Sequence, residues 1–190
     1  NILIANNQVD DQVWGNIGNI YRMKNQIEKA FEAYNNQVNM GPDKYKGYIN
    51  RAITYSILKN YPPAFEDFTT ALSLGAPLKS VVINRAYTYI YAGENENAIK
   101  DFDILIKDNP YDINLYKNRG LAKFNLNNFD AAINDFNIAL KVSPNDGSLF
   151  YNISVCFLRK GDNNKASEYV VKAQKAGYQV PQTYLSNFNL

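Results

Sequence analysis

Residues 48–55 read YINRAITY and residues 82–89 read VINRAYTY, so nearly one pattern returns after 34 positions. Each copy holds Asn-Arg inside an otherwise apolar run. Laid on itself in steps of 34, the 190-residue chain gives five blocks: 11–44, 45–78, 79–112, 113–146 and 147–180. Alanine recurs at Ala30, Ala64, Ala98, Ala132 and Ala166. A small residue recurs at Gly18, Ala52, Ala86, Gly120 and Ser154, and a large apolar one at Trp14, Tyr48, Val82, Tyr116 and Phe150. Tyr34, Phe68, Phe102, Phe136 and Val170 form a further series. A fixed period of this size marks stacked repeats, each burying its apolar face against the next.

Within a block the spacing is helical. Trp14, Ile17, Gly18 and Tyr21 fall at i, i+3, i+4 and i+7, the stripe that one face of an α-helix presents. Ile27, Ala30, Phe31 and Tyr34 repeat it in a second helix. Short polar turns such as Ala92-Gly93-Glu94-Asn95 and Lys160-Gly161-Asp162-Asn163 separate the two. Pro42, Pro110 and Pro144 close three blocks, and Asp112 and Asp146 are suited to cap the helices that follow. Pro62-Pro63 fall at the start of a second helix, where a missing N–H costs little. Each block therefore predicts an antiparallel helix pair, with the recurrent alanine facing the small residue of the first helix so that the backbones approach.

This pattern resembles the tetratricopeptide repeat family over residues 11–180. Trp14, Ile17, Gly18, Tyr21, Ala30, Tyr34 and Pro42 carry the match in the first block. Lys123 departs from it in place of an aromatic, Gln37 in place of an alanine, and Ala76 in place of the closing proline. The resemblance implies an all-α solenoid of five such repeats, wound as a right-handed superhelix whose concave groove is lined by the first helices.

Arg51, Arg85 and Arg119 stand where that family has an apolar residue, and sixteen residues on come Asp67, Asp101 and Asp135. The remaining blocks have neither charge: Ile17 goes with Ala33, and Ile153 with Tyr169. Charges that come and go together predict an ion pair across the helix pair, since a planar guanidinium matches a carboxylate. A row of anion-binding arginines is the functional alternative.

Just before the arginines runs Asn16, Asn50, Asn84, Asn118 and Asn152. The resemblance places this position beside the groove, where O-linked GlcNAc transferase uses a comparable asparagine ladder to hold an extended polypeptide. A carboxamide offers an acceptor and two donors, which match a peptide's main chain without reading its side chains. Stacked helices lie about 8–10 Å apart, and about three extended residues span that distance. The same asparagines also read as plain framework residues of the family. Tyr87, Tyr91, Phe124 and Tyr151 are expected to share the groove, together with Ile49, Ile53, Ile83, Leu121, Val155 and Leu158. The carboxylate clamp of cochaperone repeats needs Lys and Asn, then Asn, then Lys and Arg on three consecutive repeats; the first three here offer Gly15 and Asn19, Asn50, then Ser80 and Asn84.

Composition narrows the function. Twenty basic and eighteen acidic residues give a net charge of +2, without the dense basic stripe that nucleic-acid binding needs. No apolar run is long enough for a membrane span. There is no histidine, the commonest general base, and no glycine-rich phosphate loop. The single cysteine, Cys156, reads as a small packed residue. Asp101 and Asp103 do not form a carboxylate pair, because residues two apart point to different sides of a helix.

The expectation is therefore a non-enzymatic scaffold for a protein or peptide ligand, without metal or cofactor, in a soluble, cytoplasmic setting. A recruiting module of a larger catalytic or membrane protein is the alternative, and self-association through terminal repeats a further option. Residues 1–10 read as the end of a preceding helix or an N-terminal cap. Residues 181–190 read as the start of a C-terminal capping helix, with Tyr184, Leu185 and Phe188 at helical spacing.

Overall fold

The structure, a computed structural model, describes residues 11–40 and 43–188. The described residues form α-helices without a β-strand. Helices α1 (Asp11–Met23) and α2 (Ile27–Asn39) belong to the first block, α3 (Lys44–Ile57) and α4 (Tyr61–Ser73) to the second. The third contains α5 (Leu78–Ala92) and α6 (Asn95–Asp108), the fourth α7 (Ile113–Asn125) and α8 (Phe129–Val142). The fifth contains α9 (Gly147–Arg159) and α10 (Asn163–Lys175), and a short α11 (Gln182–Leu185) follows. The helix expected over residues 1–10 lies outside the described residues, as do Pro42 and the last two residues.

The turn inside each block uses one backbone device. Asn25, Lys59, Gly93, Asn127 and Gly161 are 34 residues apart, and all have φ between 56° and 81°. Left-handed backbone stops the first helix and turns the chain back. Glycine takes it freely, and asparagine tolerates it. The exits from the second helices differ. Asp112 caps α7 by accepting from the Asn114 amide, and Asp146 caps α9 by accepting from Ser148 and Leu149. Where Ala76 replaces the closing proline, Gly75 takes φ +84° and ends α4 instead. Pro62 and Pro63 sit in the first turn of α4, as their sequence position requires.

Packing divides the chain into two compact units, 1–93 and 94–190, with the boundary at the Gly93 turn inside the third block. In the first unit α1 packs on α2, α2 on α3, α3 on α4 and α4 on α5, while α3 also touches α1 and α5. In the second, α6 to α10 pack in the same sequential way. Phe68 is the fully buried centre of one core, with Ala52, Ala64 and Ala71 around it. Phe136 occupies the equivalent place in the other, with Ala132, Ala139 and Ile153.

At two of the small positions, Gly18 and Gly120, the nearest atoms opposite are those of a ring. A Cβ on Gly18 would lie 2.3 Å from Tyr34 Cε1, and one on Gly120 would lie 2.6 Å from Phe136 Cε1. Ser154 fits the expected close approach, its hydroxyl donating to the Ala166 carbonyl at 2.7 Å.

Candidate functional site: the first-helix faces

The arginines fix the wall on which the asparagines stand. Arg51 on α3 grips Asp67 on α4 with two bonds, Nε to Oδ2 and Nη2 to Oδ1, both 2.7 Å. Arg119 on α7 grips Asp135 on α8 in the same way, at 2.9 and 2.7 Å. Both aspartates are buried, and bonding to them raises each guanidinium's pKa against the opposing effect of burial. The third guanidinium nitrogen, Nη1, reaches backwards to the preceding repeat: Arg51 to Asn35 at 2.7 Å, Arg119 to Asp103 at 2.5 Å. Each guanidinium thus ties three helices together and lies over a tyrosine, Tyr48 or Tyr116, at 5.1 and 5.5 Å. Asp103, set aside in the sequence because of its spacing from Asp101, is the backward partner of the next repeat's arginine.

In the first unit Asn16 and Asn50 line one open cleft of about 400 Å³. Gln12, Asn19, Gln37 and Ser80 add further polar groups, over a floor that includes Gly15 and Ile49. The Asn50 amide donates to Gln37 Oε1 at 3.1 Å, and a Cβ on Gly15 would meet the Gln37 amide at 2.5 Å. Glutamine at this position therefore completes an amide-lined wall, with glycine below making room for it. Lys46, the cation at the rim, pairs with Asp43 at 2.6 Å. Asn84 and Asn118 turn back on their own helices, donating to the Ser80 and Asn114 carbonyls at 2.8 Å.

The second unit holds an apolar cavity of about 180 Å³, where Asn152 joins Leu121, Phe124, Tyr151 and Val155 above the buried Phe136 ring. Tyr151 also stacks on Tyr178 at 5.1 Å and meets Tyr184 edge-on at 5.0 Å. Burial, with Tyr178 beside it, raises its phenol above the ordinary value, so the hydroxyl stays neutral. Tyr184 reaches Ser154 through its hydroxyl at 2.9 Å, and Leu185 is buried, so α11 packs against the middle of α9. Tyr87 and Tyr91 line neither cavity; Tyr91 stands 67% exposed at the end of α5.

Lys123, in place of an aromatic, is a second counter-ion for the fully buried Asp135, at 2.8 Å. Other polar links were missed in the sequence: Thr88 to Ser56 at 3.0 Å, Asn125 to Asn95 at 3.0 Å, and Lys117 through Ser148 to Asp146. The Thr88–Ser56, Asn125–Asn95 and Lys117–Ser148 partners lie 30 to 32 residues apart, two to four short of the repeat, which is the signal that joins neighbouring repeats. Cys156 is buried, and burial pushes its thiol up to about 12, so it carries no thiolate at neutral pH. No cluster of metal-binding side chains occurs among the described residues. No helix among them is long and apolar enough to cross a membrane.

Two segments match models of the tetratricopeptide repeat, residues 11–43 and 113–146. No curated protein matches the chain significantly. Among solved structures, MamA 41-end from Desulfovibrio magneticus RS-1 aligns with a TM-score of 0.78 at 16% identity, covering 88% of this chain and 94% of that one. YrrB, described as a TPR protein with an unusual peptide-binding site, aligns with a TM-score of 0.77 at 21% identity, covering 98% and 96%. Another MamA crystal structure gives 0.75 at 18% identity, over 95% and 96%.

Proposed function

The chain is a tetratricopeptide repeat protein, and from that premise we propose that it is a protein-interaction scaffold. Peptide segments of partner proteins bind along the first helices of its repeats. One observation carries the reading: Asn16 and Asn50, one repeat apart, line a single open cleft with Gln37 between them. Carboxamides at that spacing offer donors and acceptors to a peptide's main chain while adding no net charge. The apolar cavity beside Asn152 has room for about one large aliphatic or aromatic side chain, the kind of anchor that dominates peptide affinity. The peptide-binding site of YrrB, a protein of like fold, supports the same use.

Asn84 and Asn118 belong to the series as ligands that must first release their own helix carbonyls. The partner is a protein rather than nucleic acid, because the net charge is only +2. The scaffold carries out no reaction of its own, and a cytoplasmic setting goes with this reading.

Peptides selected from a random display library on the wild-type protein test it. Asn16→Ala with Asn50→Ala should weaken a cleft-bound peptide by about tenfold or more, two lost hydrogen bonds at about 1 kcal/mol each. Equal affinity for wild type and double variant would overturn it.

A further inference from the structure

A second groove lies on the other side of α9, between the second helices α8 and α10. It encloses about 750 Å³. Leu140, Phe150, Tyr169 and Ala176 form an apolar floor, and Lys172 and Lys175 line it from the last turn of α10. Phe150 and Tyr151 are neighbours in sequence, yet Phe150 lines this groove while Tyr151 lines the cavity described above. One helix therefore separates two differently built surfaces.

The floor is preset. The Tyr169 ring is held between Phe150 at 6.3 Å and Phe157 at 5.6 Å, and the Lys172 ammonium sits 4.4 Å from its centroid. Among the described residues, no carboxylate lines the groove. Two acids lie close by: Asp146 caps α9, and the half-exposed Glu168 pairs with Lys172 at 2.6 Å, so a ligand carboxylate takes its place on Lys172 while Lys175 stands exposed. The positive charge continues along the unit. Lys107, Lys141 and Lys175 recur at the same repeat position near the ends of α6, α8 and α10, and all three are exposed. The corresponding residues of the first unit are Asn39 and Ser73. Lysines in a last turn offset the helix dipole, but that role needs neither an aromatic floor nor the additional Lys172, which stands where α8 has Ile138 and α6 has Ile104.

We propose that this outer groove is a second ligand site of the scaffold, built for an acidic peptide segment that carries an apolar side chain. The side chain rests on Tyr169 and Phe150, while the flanking carboxylates meet Lys172 and Lys175. Charge complementarity selects the ligand and makes its binding salt-sensitive.

The probe is the fluorescein-labelled octapeptide Asp-Glu-Asp-Phe-Glu-Asp-Leu-Glu, with a control in which lysine replaces every acid. Fluorescence anisotropy on the full chain should show binding of the acidic probe only, weakening as salt rises. Lys172→Glu with Lys175→Glu should weaken it by about tenfold or more, and Tyr169→Ala should weaken it without changing the salt dependence. Asn16→Ala with Asn50→Ala should leave it unchanged, which keeps this site separate from the cleft. An unfolding midpoint near wild type for the lysine variant shows that a loss of binding is not a loss of fold. Equal binding of both peptides, binding unaffected by the lysine changes, or tighter lysine-dependent binding of a labelled oligo(dT) would each overturn the proposal.

Discussion

Lys59 holds a backbone conformation that its neighbours in the series leave to asparagine or glycine, with φ +58°. A non-glycine residue there costs about 1–3 kcal/mol, and glycine returns part of that through its larger unfolded entropy. Lys59→Gly should therefore raise stability by about 0.5–1 kcal/mol, read as a higher urea midpoint at constant slope. Gly120 runs the opposite way. Alanine would improve helix propensity by about 1 kcal/mol, but its Cβ would press within 2.6 Å of the fully buried Phe136 ring. Overpacking costs about 1–3 kcal/mol, so Gly120→Ala should lower the midpoint, and an unchanged or higher value would mean that the ring moves freely. At Asp146 burial opposes the charge, but the Ser148 hydroxyl and amide, with Lys117 nearby, hold the carboxyl below its usual value. A depressed folded value stabilises above the unfolded value of about 4 and is lost as pH falls through the folded one. Wild type should thus exceed Asp146→Ala in stability at pH 7, and the gap should narrow steadily on acidification below pH 4.

At the scale of the helix pair, the arginine clamps make a prediction that separates the second repeat from the fourth. Removing one member of a buried pair costs about 3–5 kcal/mol, whereas removing both is often neutral. Arg51→Met should be strongly destabilising, and Arg51→Met with Asp67→Leu should recover most of the loss in a double-mutant cycle. Arg119→Met with Asp135→Leu should recover less, because Lys123 and Asp103 then lose their partner. Adding Lys123→Tyr, the family's aromatic at that position, should restore more. Additive losses at 51 and 67 would deny the pairing. The Arg51–Asp67 and Arg119–Asp135 pairs were legible because charges at two positions sixteen apart appear and vanish together. The backward bonds to Asn35 and Asp103 were equally periodic, sixteen residues before Arg51 and Arg119. They are hidden within any one block because each crosses into the preceding repeat. The rings beside Gly18 and Gly120 are hidden in the sequence for a related reason: spacing gives the face of a residue but not the reach of the side chain opposite.

For the whole chain, period and composition carried the fold, since a 34-residue repeat with helical stripes leaves few other arrangements. The candidate site reads in the sequence as positions on the first helices and less as chemistry. Asn16 and Asn50 do share a cleft, yet Gln37, which reads as a departure from the family pattern, is what joins its wall. Phe124 and Tyr151 do share a cavity, while Tyr87 and Tyr91 line neither space. Which side chains converge depends on helix rotation within each unit, and a repeat period does not specify that. The most direct measurement is a ¹⁵N NMR titration of the full chain with a library-selected peptide, following side-chain carboxamide resonances. Shifts should concentrate on Asn16, Gln37 and Asn50 and saturate with the affinity found by direct binding. Saturable binding that leaves those three resonances in place would contradict the account.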